Sequence, residues 1–354
     1  MSLPETIQQW ETSQDGIENL KQTTAPLPWP GKNEVLVMIS ALAINYRDTE
    51  VIMGLYKHHK TTGEPTASMV PCSDMCGTVT ASNSPNWKVG DRVLSIFNQN
   101  HVKGQIVPEN MKSGLGSPLP GCLTQYRVFP DYGLVKAPDY LSDEQACTLA
   151  IAGVTAWMAV NGMRPLGQAG GKGEKVLVQG TGGVAISGLQ IAAASGAEVI
   201  VTSSSDAKLE QANKLGAAHT INYRTNKDWE EEVLKVTNGE GADIIFENGG
   251  AQTLRKSFEC VKFGGLINCI GYLSGKVDAA DDRTNTNLLA LKRNVTLKGI
   301  LNGPKDRFEE MLKFYDEKKI EPVVDRVFAF DEAKEALNYL FAGGHFGKVV
   351  IKIS

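Results

Sequence analysis

The chain has 354 residues, of which 42% are hydrophobic and 21% charged, with 36 glycines and a formal net charge of −4. That length exceeds one ordinary domain and allows two buried cores. The slight acidity argues against a basic face for nucleic acid or an anionic membrane, and no apolar run reaches the ~18 residues that suggest a membrane-crossing helix.

The opening MSLPETIQQW carries neither the basic nor the apolar block of a signal peptide, so a cytoplasmic protein is expected. Six cysteines, Cys72, Cys76, Cys122, Cys147, Cys260 and Cys269, contain no C-x-x-C pair and read as buried thiols. A metal held by Cys72 and Cys76 with a histidine is the alternative.

Short β runs open the chain: Glu34 to Ala43, Gly77 to Ala81, Arg92 to Leu94 after a Gly90-Asp91 turn, and Gly121 to Val128. Between them, Asn98 to Pro120 is polar and rich in Gly and Pro, which predicts a long loop. From Gly173 the texture becomes strict alternation. Lys175–Gln179 precedes a helix ending near Ser195; Glu198–Thr202 precedes a helix over Asp206–Leu215; His219–Tyr223 precedes one near Asp228–Thr237. Asp243–Phe246 leads to a helix around Thr253–Val261, and Leu266–Ile270 follows. Apolar runs of four to six residues between amphipathic helices predict a doubly wound parallel sheet covered on both faces. A β run at Asn294–Ile300, helices at Lys305–Lys319 and Asp331–Phe341, and a strand at Lys348–Ile353 complete the chain. This tail is too short for its own core and is expected to return to the N-terminal part.

Gly180-Thr181-Gly182-Gly183-Val184-Ala185 fits G-x-G-x-x-A between a predicted strand and a predicted helix. The first glycine permits the tight turn, the second lets the backbone approach a pyrophosphate, and the small sixth residue lets helix and strand pack closely. About twenty residues on, an NAD site wants a carboxylate for the ribose 2′-hydroxyl. Here the strand ends in Thr202-Ser203-Ser204-Ser205, with Lys208 one helical turn later and Tyr223-Arg224 closing the next strand. Hydroxyls and cations suit a 2′-phosphate, so NADP(H) is expected, with Asp206 the discordant charge. The plainer reading of the serines is capping of the following helix.

These residues resemble the zinc-independent branch of the medium-chain dehydrogenase/reductase superfamily, near the quinone oxidoreductases and alcohol dehydrogenase-like proteins. The resemblance runs through Asn45-Tyr46-Arg47-Asp48, Gly54-Leu55-Tyr56, Asp74-x-x-Gly77, Val89-Gly90-Asp91-Arg92-Val93, Ala152-Gly153-Val154-Thr155-Ala156-Trp157, the glycine loop, Lys214-Leu215-Gly216-Ala217, Ile221-Asn222-Tyr223 and His345-Phe346-Gly347-Lys348-Val349-Val350. It implies an α/β protein: a GroES-like, mostly β substrate domain (1–140 with 302–354) and a Rossmann domain (141–301). It also implies a homodimer in which the strand near Val295–Ile300 extends the sheet into a second copy.

Zinc-dependent relatives carry ligands where this chain has Asn45, Ser73 and a residue near Ile151, and four cysteines where Asn98–Gly121 has none. A carboxamide, a hydroxyl and an alkyl group do not make an ordinary zinc site, so no metal is expected. Without one, alcohol activation is disfavoured, whereas a quinone, enone or other activated alkene or carbonyl accepts hydride with help from hydrogen-bond donors. Asn45, Tyr46 and Tyr56 are the catalytic candidates, oriented on a small-molecule oxygen; solvent is expected to supply the final proton. For either tyrosine, packing is the alternative. Arg47 and Asp48 are expected to brace the loop, and His58 and His59 to be solvated. The cofactor is assigned Asn45, Thr155, Gly180, Thr181, Gly182, Gly183, Val184, Ser203, Ser204, Lys208 and Tyr223. It also takes the strand ends Asn248, Gly249, Ile270, Gly271 and Tyr272, and Phe346 and Lys348 of the closing motif. Rival readings are an alcohol/carbonyl dehydrogenase, a trans-acting enoyl reductase serving a synthase, and a non-enzymatic NADPH-binding protein.

Overall fold

The computed structural model describes residues 3–57, 68–277 and 285–354. His58 and His59 lie outside these residues. The chain divides into two compact units, 1–154 with 303–354 and 155–302. Among the described residues no helix is long and apolar enough to cross a membrane.

The second unit is built on six parallel strands, β1 (Lys175–Gln179), β2 (Glu198–Ser203), β3 (His219–Asn222), β4 (Ala242–Glu247), β5 (Val261–Cys269) and β6 (Thr296–Gly299). Their spatial order is β3-β2-β1-β4-β5-β6, the doubly wound Rossmann order. Val176, Leu177 and Val178 of β1 and Val199, Ile200 and Val201 of β2 are all inaccessible to solvent, as continuous apolar runs covered on both faces must be. The order reverses between β1 and β4. All strands run the same way, so their carboxyl ends collect on one edge.

The first unit is a mostly β fold. Its central strand, Glu34–Ile44, pairs antiparallel with Asp74–Ser82, Tyr126–Pro130 and the C-terminal Lys348–Lys352. Arg92–Ser95, Leu134–Lys136 and Val324–Ala329 extend the sheet, and Thr6–Glu11 pairs with Lys21–Pro26 apart from it. The tail thus supplies strands to a sheet begun three hundred residues earlier. Its core gathers Val35, Ile39, Leu42, Phe129, Leu337 and Ile351.

Several local expectations shift. The expected strand begins later, at Tyr126: a side chain at Gly121 would lie 2.0 Å from the Cys72 carbonyl oxygen, so the segment first threads against Pro71 and Cys72, with Thr124 making only an isolated bridge to Gln9. The last parallel strand starts at Thr296, because Asn294 adopts a left-handed conformation (φ 53°) that ends the preceding helix Thr286–Arg293. The Asn98–Pro120 segment contains a one-turn helix, Pro108–Met111.

Candidate functional site

In the Rossmann unit, Gly180 leaves β1 with φ +83°, a left-handed turn that glycine adopts without a steric penalty. Its N–H is tied to the Thr202 carbonyl (2.8 Å), fixing the turn against β2. Gly182 then caps helix α1 (Gly183–Ala194) without a side chain, leaving the first-turn N–H groups beside half-exposed Gly182, Gly183 and Val184; Thr181 is buried. Close packing behind the loop depends on Gly188, where a Cβ would stand 2.5 Å from the Phe246 ring.

Beside this loop the β2 tip presents Ser203 and Ser204. Ser203 is buried and its Oγ accepts a long 3.4 Å bond from the Ser205 N–H, so its hydroxyl serves the turn; Ser204 is half-buried. Helix α2 (Asp206–Lys214) follows, with Lys208 half-buried on its first turn. Asp206 is held by the Asn222 amide, which donates to its Oδ1 at 2.7 Å. Tyr223, exposed, is anchored through its N–H to the Ser203 carbonyl (3.0 Å).

The β4 tip carries a polar clasp that the sequence reading missed. Glu247, 1% exposed, accepts from the N–H groups of Gly249 (3.1 Å) and Gly250 (2.9 Å), from Gln179 Nε2 (2.9 Å), and from the hydroxyls of Thr253 and Ser257. Gln179 reaches the same turn, with its Oε1 accepting from the Asn248 N–H (3.2 Å) and its main-chain oxygen from Asn248 Nδ2 (2.8 Å). The residue before the glycine loop therefore shapes Asn248–Gly250. Ile270 and Gly271 donate to the Glu247 carbonyl (2.9 and 3.2 Å), and a side chain at Gly271 would meet the Asn248 carbonyl at 2.7 Å. Lys276 lies over the Tyr272 ring, 4.5 Å from its centroid. A carboxylate ending an apolar run was the available signal for Glu247. Thr155, also in this unit, is buried in the helix Ala152–Asn161.

In the first unit, strand register builds a second polar cluster. Ile44 pairs with Val349 and Ala43 with Asp74, so the next residues, Asn45 and Lys348, fall opposite one another beside Asp74. Lys348 is 5% exposed, and its ammonium donates to the Ile44 carbonyl (2.8 Å) and to Asn45 Oδ1 (2.6 Å). Placed in the cofactor set by the sequence reading, this lysine spends these two bonds inside its own unit. Asn45 caps the helix Tyr46–Ile52, while Asp48 Oδ2 accepts the Asn45 N–H at 2.8 Å. Asp74 accepts from Ser73 Oγ (2.6 Å) and from the Ile151 N–H (3.1 Å). Burial pushes the Asp48 carboxyl up to about 6, against the pull of Arg47, and raises Asp74 as well. Burial lowers Lys348, opposed by Asp74 and Asp48.

The three positions where zinc-dependent relatives carry ligands thus converge on one carboxylate and one ammonium. Asn45 offers an oxygen already bound by Lys348, Ser73 a hydroxyl already donated to Asp74, and Ile151 a main-chain N–H. None of these three positions offers a thiolate or imidazole, and a divalent cation at them would meet the Lys348 ammonium, so this donor set does not fit zinc. Among the described residues, no group of three or more His, Cys, Asp or Glu side chains is arranged to hold a metal ion. All six cysteines are free, and five are buried.

Tyr46 and Tyr56 differ. The Tyr46 ring stacks on Phe341 (6.1 Å between centroids, 13° between planes), a packing role with one exposed edge. Half-buried Tyr56 lies under the Arg47 guanidinium, 4.9 Å from the ring centroid, with Phe97 on another side of that cation at 4.7 Å. Arg47 also donates to the carbonyls of Leu115 (3.2 Å) and Ser117 (2.8 Å), so it braces the 115–117 segment beyond its 3.6 Å pairing with Asp48. Phe346 is buried, its N–H on Asp325 at 3.0 Å.

Comparison with known proteins agrees with this architecture. The chain matches family models for the alcohol dehydrogenase GroES-like domain over residues 31–139 and for zinc-binding dehydrogenase over residues 183–317. It is 40% identical over 348 residues to a zinc-type alcohol dehydrogenase-like protein of Schizosaccharomyces pombe, covering 96% of both chains. The solved structure of an NAD-dependent alcohol dehydrogenase matches 98% of this chain and 100% of its own with a TM-score of 0.84 at 28% identity. That of a quinone oxidoreductase of Pseudomonas syringae pv. Tomato DC3000 matches 98% and 100% with a TM-score of 0.78 at 25% identity. A doubly wound sheet with its glycine loop, a GroES-like unit and these matches lead to one conclusion: the chain belongs to the medium-chain dehydrogenase/reductase superfamily of oxidoreductases, among its alcohol dehydrogenase-like and quinone oxidoreductase-like members.

Proposed function

We propose that this protein is an NADPH-dependent, zinc-independent reductase that transfers hydride to a quinone, an enone or another activated alkene or carbonyl, and that it acts as a homodimer. The observation that carries the coenzyme choice is the β2 tip: Ser204 and Lys208 stand there, and the carboxylate of Asp206 is bonded to Asn222. A 2′-phosphate takes charge-assisted bonds from such groups, whereas an unphosphorylated ribose wants a carboxylate acceptor. The similarity to a quinone oxidoreductase supports the acceptor class. For the homodimer, β6 is an edge strand with Leu297 partly exposed, open to strand addition by a second copy.

When bound, the nicotinamide supplies the hydride. The glycine loop and the α1 N-terminus would hold the pyrophosphate, and the Glu247 clasp, which sets the Asn248–Gly250 backbone, would border the cofactor. Hydride addition to the β-carbon of an enone moves an electron pair onto its oxygen. Asn45 and the Tyr56 hydroxyl would donate hydrogen bonds to that oxygen, and water protonates the α-carbon.

The test is calorimetry with NADPH and NADH, followed by turnover on a panel of quinones, enones and simple alcohols. Tighter NADPH binding with reduction of conjugated acceptors is expected. Tighter NADH binding, or vigorous oxidation of simple alcohols with NAD, would overturn the proposal in favour of a dehydrogenase like the NAD-dependent relative.

A further inference from the structure

We propose that Glu247 and Gln179 are a positioning pair that ties β1 to β4 and sets the Asn248–Gly250 turn for the nicotinamide half of the coenzyme. This rests on the dinucleotide reading above and adds which half the clasp serves. Strands β1 and β4 are neighbours, with Val178 opposite Phe246, so Gln179 and Glu247 come next, at the carboxyl edge where the strand order reverses. In a doubly wound sheet the ligand crevice opens at that point, with one mononucleotide half to each side. The end of β2 is the place for the adenosine ribose, and β2 lies on the other side of β1. The β4 side is thereby left to the nicotinamide half.

The chemistry of the pair fixes its orientation. A carboxylate only accepts, so the Gln179 atom 2.9 Å from Glu247 Oε2 is the amide nitrogen, which also donates to Ser257 Oγ at 2.8 Å. The amide oxygen is then turned to the N–H groups of Asn248 (3.2 Å) and Gly249 (3.3 Å). Glu247 Oε1 accepts from the N–H groups of Gly249 and Gly250 and from the Thr253 hydroxyl. Successive main-chain donors of the turn are thus held by the last residue of β1 and the last residue of β4. Two of the three turn residues are glycines, which hold no single conformation by themselves, so the acceptors must fix it. The five donors to Glu247 are all uncharged, and they alone offset the burial of its acid. An apolar residue ending β4 would avoid that cost and leave the turn unheld.

The experiment uses the full chain with Glu247→Gln, whose amide cannot accept at both ends, and separately with Gln179→Met, which keeps the side chain's length and removes the tie. Gln179→Met leaves the Glu247 bonds to the turn in place, so it reports even where Glu247→Gln does not fold. Calorimetry measures NADPH and adenosine 2′,5′-bisphosphate, the fragment without the nicotinamide half, and amide hydrogen exchange follows the turn. Both variants are expected to bind NADPH about tenfold to 100-fold more weakly, as when buried donors lose their acceptors, and to bind the fragment as the wild type does. Exchange should quicken at Gly249 and stay slow within β4. Unchanged NADPH affinity or unchanged exchange would overturn the proposal. Equal losses for NADPH and the fragment would overturn it too, marking a loosened sheet edge rather than a positioned turn. Wild-type protein that prefers NADH would sink the NADPH reading alone, because NADH against AMP repeats the comparison in the same variants.

Discussion

Two side chains carry separable consequences. Replacing Lys208 by Ala removes a cation next to the proposed 2′-phosphate and none that NADH would use. Charge-assisted bonds contribute roughly 1.5–3 kcal/mol, so Lys208→Ala should weaken NADPH about tenfold to 100-fold in calorimetry and leave NADH unchanged. Equal losses for both coenzymes would place the lysine elsewhere. Asp48 makes a different prediction. Its folded carboxyl, at about 6, holds a proton more tightly than the ordinary value of 3.8 expected in the unfolded chain. Protonation therefore favours the fold: the contribution is whole below pH 3.8 and is lost as pH rises through 6. Asp48→Asn keeps an oxygen to accept the Asn45 N–H but cannot titrate. In urea unfolding, wild type should lose stability relative to Asp48→Asn as pH rises through that window, by on the order of 3 kcal/mol in all. A pH-independent difference would mean that Asp48 is not desolvated as described.

Among the elements, the α/β alternation and the glycine loop were legible in the sequence because they are local. A buried strand followed by a helix has a period and a turn signal within thirty residues. What was hidden depends on register between distant segments: Lys348 meets Ile44 across 304 positions, and nothing in Gly347-Lys348-Val349 announces that its ammonium ends on Asn45. Asp74, Ser73 and Ile151 converge for the same reason. Glu247 was passed over because an acidic residue at the end of an apolar run reads as the strand's exit into solvent, whereas five donors hold it inside. Tyr46 and Tyr56 were equivalent as phenols in the sequence, and Phe341 and Arg47 distinguish them in the fold. Helix–strand packing gives a sharp test. Gly188→Ala puts a methyl group against Phe246 in a packed interior, an overpacking that costs typically about 1–3 kcal/mol. Thermal unfolding should show a lowered midpoint, with NADPH affinity falling if α1 shifts from β1. An unchanged midpoint would mean that the helix has room to move.

For the whole molecule, the assembly and the chemistry are open to direct measurement. The β6 edge, Thr296–Gly299, exposes Leu297, and Leu297→Asp should convert the expected dimer to a monomer in light scattering while the isolated fold persists. A variant that keeps the wild-type mass would remove β6 from the interface. The central claim is hydride transfer from NADPH to a conjugated acceptor with no metal taking part. It is tested most directly by the rate of NADPH oxidation on a quinone or enone by protein exhaustively dialysed against a strong chelator and verified by elemental analysis. Undiminished turnover by metal-free protein is the predicted result. Activity that vanishes with the metal and returns with added zinc would contradict it.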